Sequence, residues 1–171
     1  MRASTVNVYI GSEEKVPMDL GDLIKPEAII PSLRVKSKKQ ALHELAEKAA
    51  KVTGLGAREI FDTLMQRERL GSTGVGRGIA IPHGRLPRLD RIVSVFARLP
   101  EPIAFEALDD EPVDLIFLLL APEHAGADHL KALARISRLL RNHATIEKLR
   151  GANDRAALYA VLTEPATSHA A

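Results

Sequence analysis

The chain has 171 residues, enough for one domain with a real core, and its 24 Lys and Arg against 22 Asp and Glu leave a net charge of +2. Because the cations are scattered, a sequence pI near 9.0 is weak support for nucleic-acid binding, and an aromatic content of 4% leaves few rings for base stacking. The absence of cysteine excludes a disulfide framework and a thiolate metal site, and no apolar stretch is long enough to cross a membrane, so no membrane insertion is expected.

The N-terminus has no apolar run behind its basic residue, which argues against secretion and for a cytoplasmic protein. Residues 1–17 carry the alternation Val6, Val8, Ile10 but are broken by a polar run and Pro17, and they read as a mobile extension ahead of a domain over 18–163. Leu20, Leu23 and Ile24 suggest a helical turn. A strand is expected over Ile29 to Val35, confined by Pro31 to an edge or a bend. Ser37 is a good N-cap for a helix to Val52, whose Ala41, Leu42, Leu45, Ala46 and Ala49 share one face and which Gly54 stops. A second helix is expected over Ala57 to Leu70, with Ile60, Phe61, Leu64 and Met65 inward and Arg67 on its last turn.

The stretch GSTGVGRGIAIPHG from Gly71 to Gly84 follows. Its run Ile79, Ala80, Ile81, Pro82 is expected to form a short buried strand that stops at the proline, leaving His83 at a strand end. The glycines at 71, 74, 76 and 78 permit positive φ and a close backbone approach to an anion, and Ser72 and Thr73 add hydroxyl donors. A nucleophilic nitrogen beside such donors suits phosphoryl transfer, which demands in-line positioning and donors to the phosphoryl oxygens. Neutral imidazole keeps one lone pair near pH 7, because its ordinary pKa is about 6.5. A lone strand-end histidine is more often structural, and neither GxGxxG nor GxxxxGK[ST] occurs here.

Beyond the loop, Arg85 to Arg91 reads as a surface segment, Ile92 to Phe96 as a strand and Pro100 to Ala107 as a bend. Val113 to Leu120 is almost continuously apolar, the pattern of a central strand covered on both faces. Three helices are expected over Asp128 to Leu140, Thr145 to Gly151 and Asp154 to Leu162, with Asn142 and Asn153 or Asp154 as capping oxygens, before a tail at 164–171. The implied fold is a single-domain, three-layer α/β/α sandwich around a mixed sheet.

Taken together, LMQRERLGSTGVGRGIAIPHG from Leu64 to Gly84, with Ala121, Pro122 and then His129, Leu130, resembles the active-site signature of phosphotransferase-system enzyme IIA domains of the fructose and mannitol type, and within them the nitrogen-regulatory branch. The resemblance covers about Met18 to Thr163. It implies that His83 accepts a phosphoryl group from an HPr-type phosphocarrier, that Arg67 grips the phosphoryl oxygens and that His129 donates a hydrogen bond to them. Ser72, Thr73 and Gly84 are further candidates for contact with the group. It implies a phosphoryl-transfer protein rather than a turnover enzyme, with neither cofactor nor metal.

Three readings compete: a regulator whose phosphorylation state changes its protein partners, a sugar-transport IIA component that hands the group to a IIB domain, and a hydrolase using His83 as general base. No Gly-x-Ser-x-Gly elbow supports the last, and the GST run after Arg67 favours the first. Arg77, Arg85 and Arg88 lie close to His83 in sequence and are expected to flank the docking face. His43, His143 and His169 read as surface residues, and His124 with His129 lacks the companion carboxylates expected of a metal pair. The sequence names neither the regulatory targets nor the oligomeric state.

Overall fold

The computed structural model describes residues 20–165, so the expected N-terminal extension and the tail beyond Pro165 lie outside the described residues. A helical turn α1 (Leu20–Leu23) and a single 3-10 turn (Pro26–Ala28) lead into β1 (Ile29–Ile30). Here the longer strand expected to Val35 is corrected. Pro31 cannot donate to a ladder, so β1 is an edge strand of two residues, although Leu33 N–H still reaches Arg98 O at 2.9 Å.

Helix α2 (Lys38–Thr53) starts where Ser37 accepts from the Gln40 N–H, and Gln40 reaches back to the Lys36 N–H at 2.9 Å. These reciprocal bonds satisfy donors that a helix start leaves unpaired. The helix stops at Gly54, whose φ of 78° is left-handed. Its apolar face, Ala41, Leu42, Leu45, Ala46 and Ala49, is buried, and α2 packs on α3 (Ala57–Arg69), which buries Ile60 and Leu64. Phe61 and Met65, expected inward, are half-buried at the edge of the same core.

The centre of the sheet is β6 (Val113–Pro122), whose residues from Leu115 to Ala121 are all at most 1% exposed. Such a strand must be covered on both faces, and the mixed sheet of six strands is flanked by helices. One side of β6 pairs antiparallel with β5 (Val93–Ile103), where Phe96 and Phe117 meet edge to face with centroids 5.9 Å apart. The expected bend at Pro100 is instead a continuation of β5, with a register break between Arg98 and Ile103 absorbing Pro100 and Pro102.

The other side of β6 carries β3 (Ile79–Ala80) and β4 (His83–Leu86) end to end, both parallel to it. Ile79 pairs with Leu115 and His83 with Leu119, so the register is unchanged across Pro82. As expected, β3 stops short of Pro82. Pro82 lacks the donor for one ladder bond, but its carbonyl still accepts from Leu119 N–H at 2.9 Å and the pairing resumes. His83 opens a strand instead of closing one. Likewise Arg85 and Leu86 are strand residues, not loop, with Leu86 fully buried.

An unexpected strand, β2 (Gly74–Gly76), forms a hairpin with β3 through Arg77 and Gly78, both at positive φ (58° and 80°). This two-residue geometry matches the twist of paired strands and needs glycine or its like. After β6 the chain closes with α4 (Ala127–Arg141), α5 (His143–Gly151), capped by Asn142, and α6 (Arg155–Leu162), capped by Asp154.

Candidate functional site

Three elements meet at β4, beside the C-terminal part of β6. The end of α3 supplies Arg67, the first residue of β4 is His83, and the first turn of α4 supplies His129. The parallel pairing of β4 with β6 explains the third. Both strands leave the sheet in the same direction, so the chain that turns after Pro122 re-enters as α4 beside β4, and the rings of His83 and His129 stand edge to face with centroids 5.8 Å apart.

Helix α3 reaches β4 because Gly84 has no side chain. A Cβ there would lie 2.8 Å from Thr63 Cγ2, one turn before Arg67 on the same helix, and that close approach carries the Arg67 guanidinium to the histidine. Arg67 Nε–H donates to His83 Nε2 at 3.2 Å, and its Nη1 donates to Gly71 O at 2.8 Å. On the far side of the ring, His83 Nδ1 lies 2.9 Å from Ile81 O. A carbonyl can only accept, so Nδ1 carries the proton and Nε2 keeps the lone pair. Burial, followed by the nearby Arg67 charge, pushes the His83 pKa below its ordinary value, outweighing the Ile81 carbonyl and Glu68 that act the other way. His83 is therefore a neutral imidazole at pH 7 with its nucleophilic nitrogen facing a cation.

His129 is 5% exposed. Arg85 Nε–H donates to its Nδ1 at 3.0 Å, which requires a lone pair there and places the proton on Nε2. That Nε2 is buried and has no hydrogen-bond partner among the described residues. Burial is again the leading cause of a lowered pKa, with His83 and Arg85 adding to it. A buried donor without an acceptor costs about 1 to 3 kcal/mol. At this corner it marks the place where an acceptor, such as a phosphoryl oxygen, would be stabilised.

The other candidates are placed differently. Ser72 Oγ donates to Phe105 O at 2.7 Å and accepts from Gly74 N–H. Thr73 donates its hydroxyl to Glu68, whose carboxylate also takes the Thr73 N–H and pairs with Lys38 Nζ at 2.7 Å. The Thr73 hydroxyl holds the loop to the end of α3, and the Ser72 hydroxyl holds it to the segment after β5. Glu68, 7% exposed, was not legible in the sequence, where it looked like one more charge in QRER. Gly84 sits in the ladder opposite Leu120 and acts through packing.

The glycines at 76 and 78 build the hairpin at the opposite end of β3, about 16 Å from His83 by strand rise. Arg77 goes with them. Arg85, expected in a loop, is part of the site. His124 is exposed, and among the described residues no three His, Asp or Glu side chains gather to hold a metal.

Residues 22–164 match the family described as "Phosphoenolpyruvate-dependent sugar phosphotransferase system, EIIA 2". A nitrogen regulatory protein of Bradyrhizobium diazoefficiens is 61% identical over 148 residues, covering 86% of this chain and 97% of that protein. One from Klebsiella oxytoca is 39% identical over 155 residues, covering 90% and 96%. The crystal structure of nitrogen regulatory protein IIA-Ntr from Neisseria meningitidis matches with a TM-score of 0.80 at 35% identity, over 84% of this chain and 99% of that one. The family match spans the sheet, α3 with Arg67 and the start of α4 with His129, and the chain belongs to the EIIA 2 family of the phosphoenolpyruvate-dependent sugar phosphotransferase system.

Proposed function

We propose that this chain accepts a phosphoryl group on His83 Nε2 from the phosphohistidine of an HPr-type phosphocarrier, and that its phosphorylation state changes its affinity for regulatory protein partners. The observation that carries the reading is the pairing of a proton-free, neutral Nε2 with Arg67 at 3.2 Å. In the transfer, the Nε2 lone pair forms the new N–P bond as the donor's N–P bond breaks, and the donor histidine leaves with that electron pair. No proton need move. The Arg67 donors, now on Nε2 and Gly71 O, turn to the phosphoryl oxygens, and the unpartnered His129 Nε2–H gives them a further bond. The group passes between side chains, so neither nucleotide nor metal is required.

Relatives named as nitrogen regulatory proteins support the regulatory branch over sugar transport. Adding about −1.5 to −2 charges beside Arg67 and Arg85 alters the face a partner meets. No helix among the described residues is long and apolar enough to cross a membrane, in keeping with a protein that works in the cytoplasm.

Incubation with enzyme I, phosphoenolpyruvate and the phosphocarrier should place one acid-labile, alkali-stable phosphate on the wild-type chain and none on a folded His83→Ala variant. Full labelling of that variant would overturn the assignment. Partner affinity would then be compared before and after phosphorylation, with an expected coupling of about 1 to 3 kcal/mol. Equal affinity in the two states would leave a passive carrier and put transfer to a sugar IIB domain first.

A further inference from the structure

We infer that Arg85 is a positioning residue for His129: its hydrogen bond to Nδ1 locks the ring in the Nε2–H tautomer and so aims the one free donor at the phosphoryl group. This rests on the reading of His83 as the acceptor and adds a residue that the motif does not contain.

The geometry leaves one solution. Arginine has only donors, so a 3.0 Å contact from its Nε demands an unprotonated Nδ1 on His129. In a neutral ring the proton must then sit on Nε2, a buried atom without a hydrogen-bond partner among the described residues. The His129 ring stands 5.8 Å from that of His83. If the tautomer were reversed, a lone pair instead of a proton would meet the phosphoryl oxygens, and the contact would change from attractive to repulsive.

The fold supplies the arrangement cheaply. Arg85 is two residues beyond His83 in β4, so its Cα lies on the same face of the strand, while His129 comes from α4. One strand therefore presents the acceptor and the residue that orients its helper. The positive charge of Arg85 also opposes protonation of His129, keeping it a neutral donor with a single defined proton. Among the described residues no carboxylate pairs with Arg85, so its fork is not drawn elsewhere. Orienting partners behind a functional histidine are a recurrent device in metal sites, where their loss costs about 10-fold or more.

The test reads the tautomer directly. Long-range proton–nitrogen NMR spectra of histidine-labelled, unphosphorylated protein at neutral pH report which ring nitrogen carries the proton. Wild-type His129 should be a single Nε2–H tautomer. Arg85→Met, which keeps the apolar stem but removes every donor, should show a mixed His129 population and accept the phosphoryl group about 10-fold more slowly. Arg85→Gln retains an N–H donor without the charge and should recover the tautomer and most of the rate. In a His129→Ala background, Arg85→Met should cost nothing further.

A wild-type ring protonated on Nδ1, an unchanged tautomer in Arg85→Met, or an equal rate loss in the His129→Ala background would overturn the assignment. The spectra need no phosphocarrier. Failure of every form to accept phosphate would count against phosphoryl transfer while leaving the tautomer result to decide the role of Arg85.

Discussion

The length of chain from Ile79 to Leu86 runs along β6 with arginines at both ends, and the two ends treat them in opposite ways. At the hairpin end, Arg150 grips Asp114 with two bonds of 2.8 and 3.0 Å and donates to Arg77 O at 2.6 Å. Its pKa is raised, chiefly by the Asp114 hydrogen bond. At the His83 end, Arg67 and Arg85 donate to neutral imidazole nitrogens, and among the described residues no carboxylate pairs with either. Glu68, next to Arg67 in α3, is held by Lys38 and Thr73. A compensated arginine fixes structure, whereas an uncompensated one beside a buried donor without an acceptor is poised for an anion. The difference between the ends singles out the His83 corner as the one suited to an anion, without reference to any motif.

The contrast breaks most sharply at Arg67. Arg67→Lys keeps the charge but loses the planar fork that can hold His83, Gly71 O and two phosphoryl oxygens in turn. Phosphoryl acceptance should slow roughly 5- to 100-fold, with thermal stability unchanged, as read by rapid-quench transfer and calorimetry. Wild-type kinetics would make Arg67 only a helix-end cation.

Gly84→Ala tests whether the approach of α3 positions Arg67. The new Cβ would meet Thr63 Cγ2 at 2.8 Å, and Thr63 cannot easily turn away because its hydroxyl bonds Glu59 O at 2.9 Å. We expect a loss of about 1 to 3 kcal/mol in stability, together with slower transfer. Adding Thr63→Ser, which deletes Cγ2, should restore both. Failure of that rescue would assign Gly84 some other role.

At the opposite end, Arg150→Met should do the reverse of Arg67→Lys. It leaves the Asp114 side chain, 20% exposed, without its partner, so chemical denaturation should show a loss of about 1 to 2 kcal/mol. The rate of acceptance should not change. A kinetic defect equal to that of Arg67→Lys would erase the distinction between the ends.

The smallest effect is on pH. His83 and His129 both have pKa values lowered from the ordinary 6.5, chiefly by burial. The folded state therefore binds these protons less readily than the unfolded state. The associated stability is fully present above about pH 6.5 and is lost as the pH falls through the lowered values. Thermal midpoints measured from pH 8 to 5 should decline below 6.5, and less so in a His83→Ala, His129→Ala double variant. Phosphoryl acceptance by the wild-type protein should stay level to below pH 6.5, since the Nε2 lone pair persists there.

Much of this was legible in the chain. The caps Ser37, Gly54, Asn142 and Asp154, the apolar stripe of α2 and the run at Val113 to Leu120 are signals spanning a few residues, and local geometry alone enforces them. His83 stands out by its glycine-rich, strand-end setting and Arg67 and His129 by the resemblance to the enzyme IIA signature, and the fold brings all three to one corner.

What only the tertiary structure decided depends on partners distant in sequence. Pairing with β6 resumes in register beyond Pro82 because the Leu119 N–H of β6 bonds the Pro82 carbonyl. The glycines at 76 and 78 serve a turn, and the Ser72 and Thr73 hydroxyls serve Phe105 and Glu68, since which acceptor a donor finds depends on what the fold sets beside it. Arg85 looked like one of several loop cations until β4 and α4 brought it to His129. A sequence states which groups can donate. Only the packed fold determines which of them are already satisfied, and that difference leaves His129 Nε2–H free at this corner.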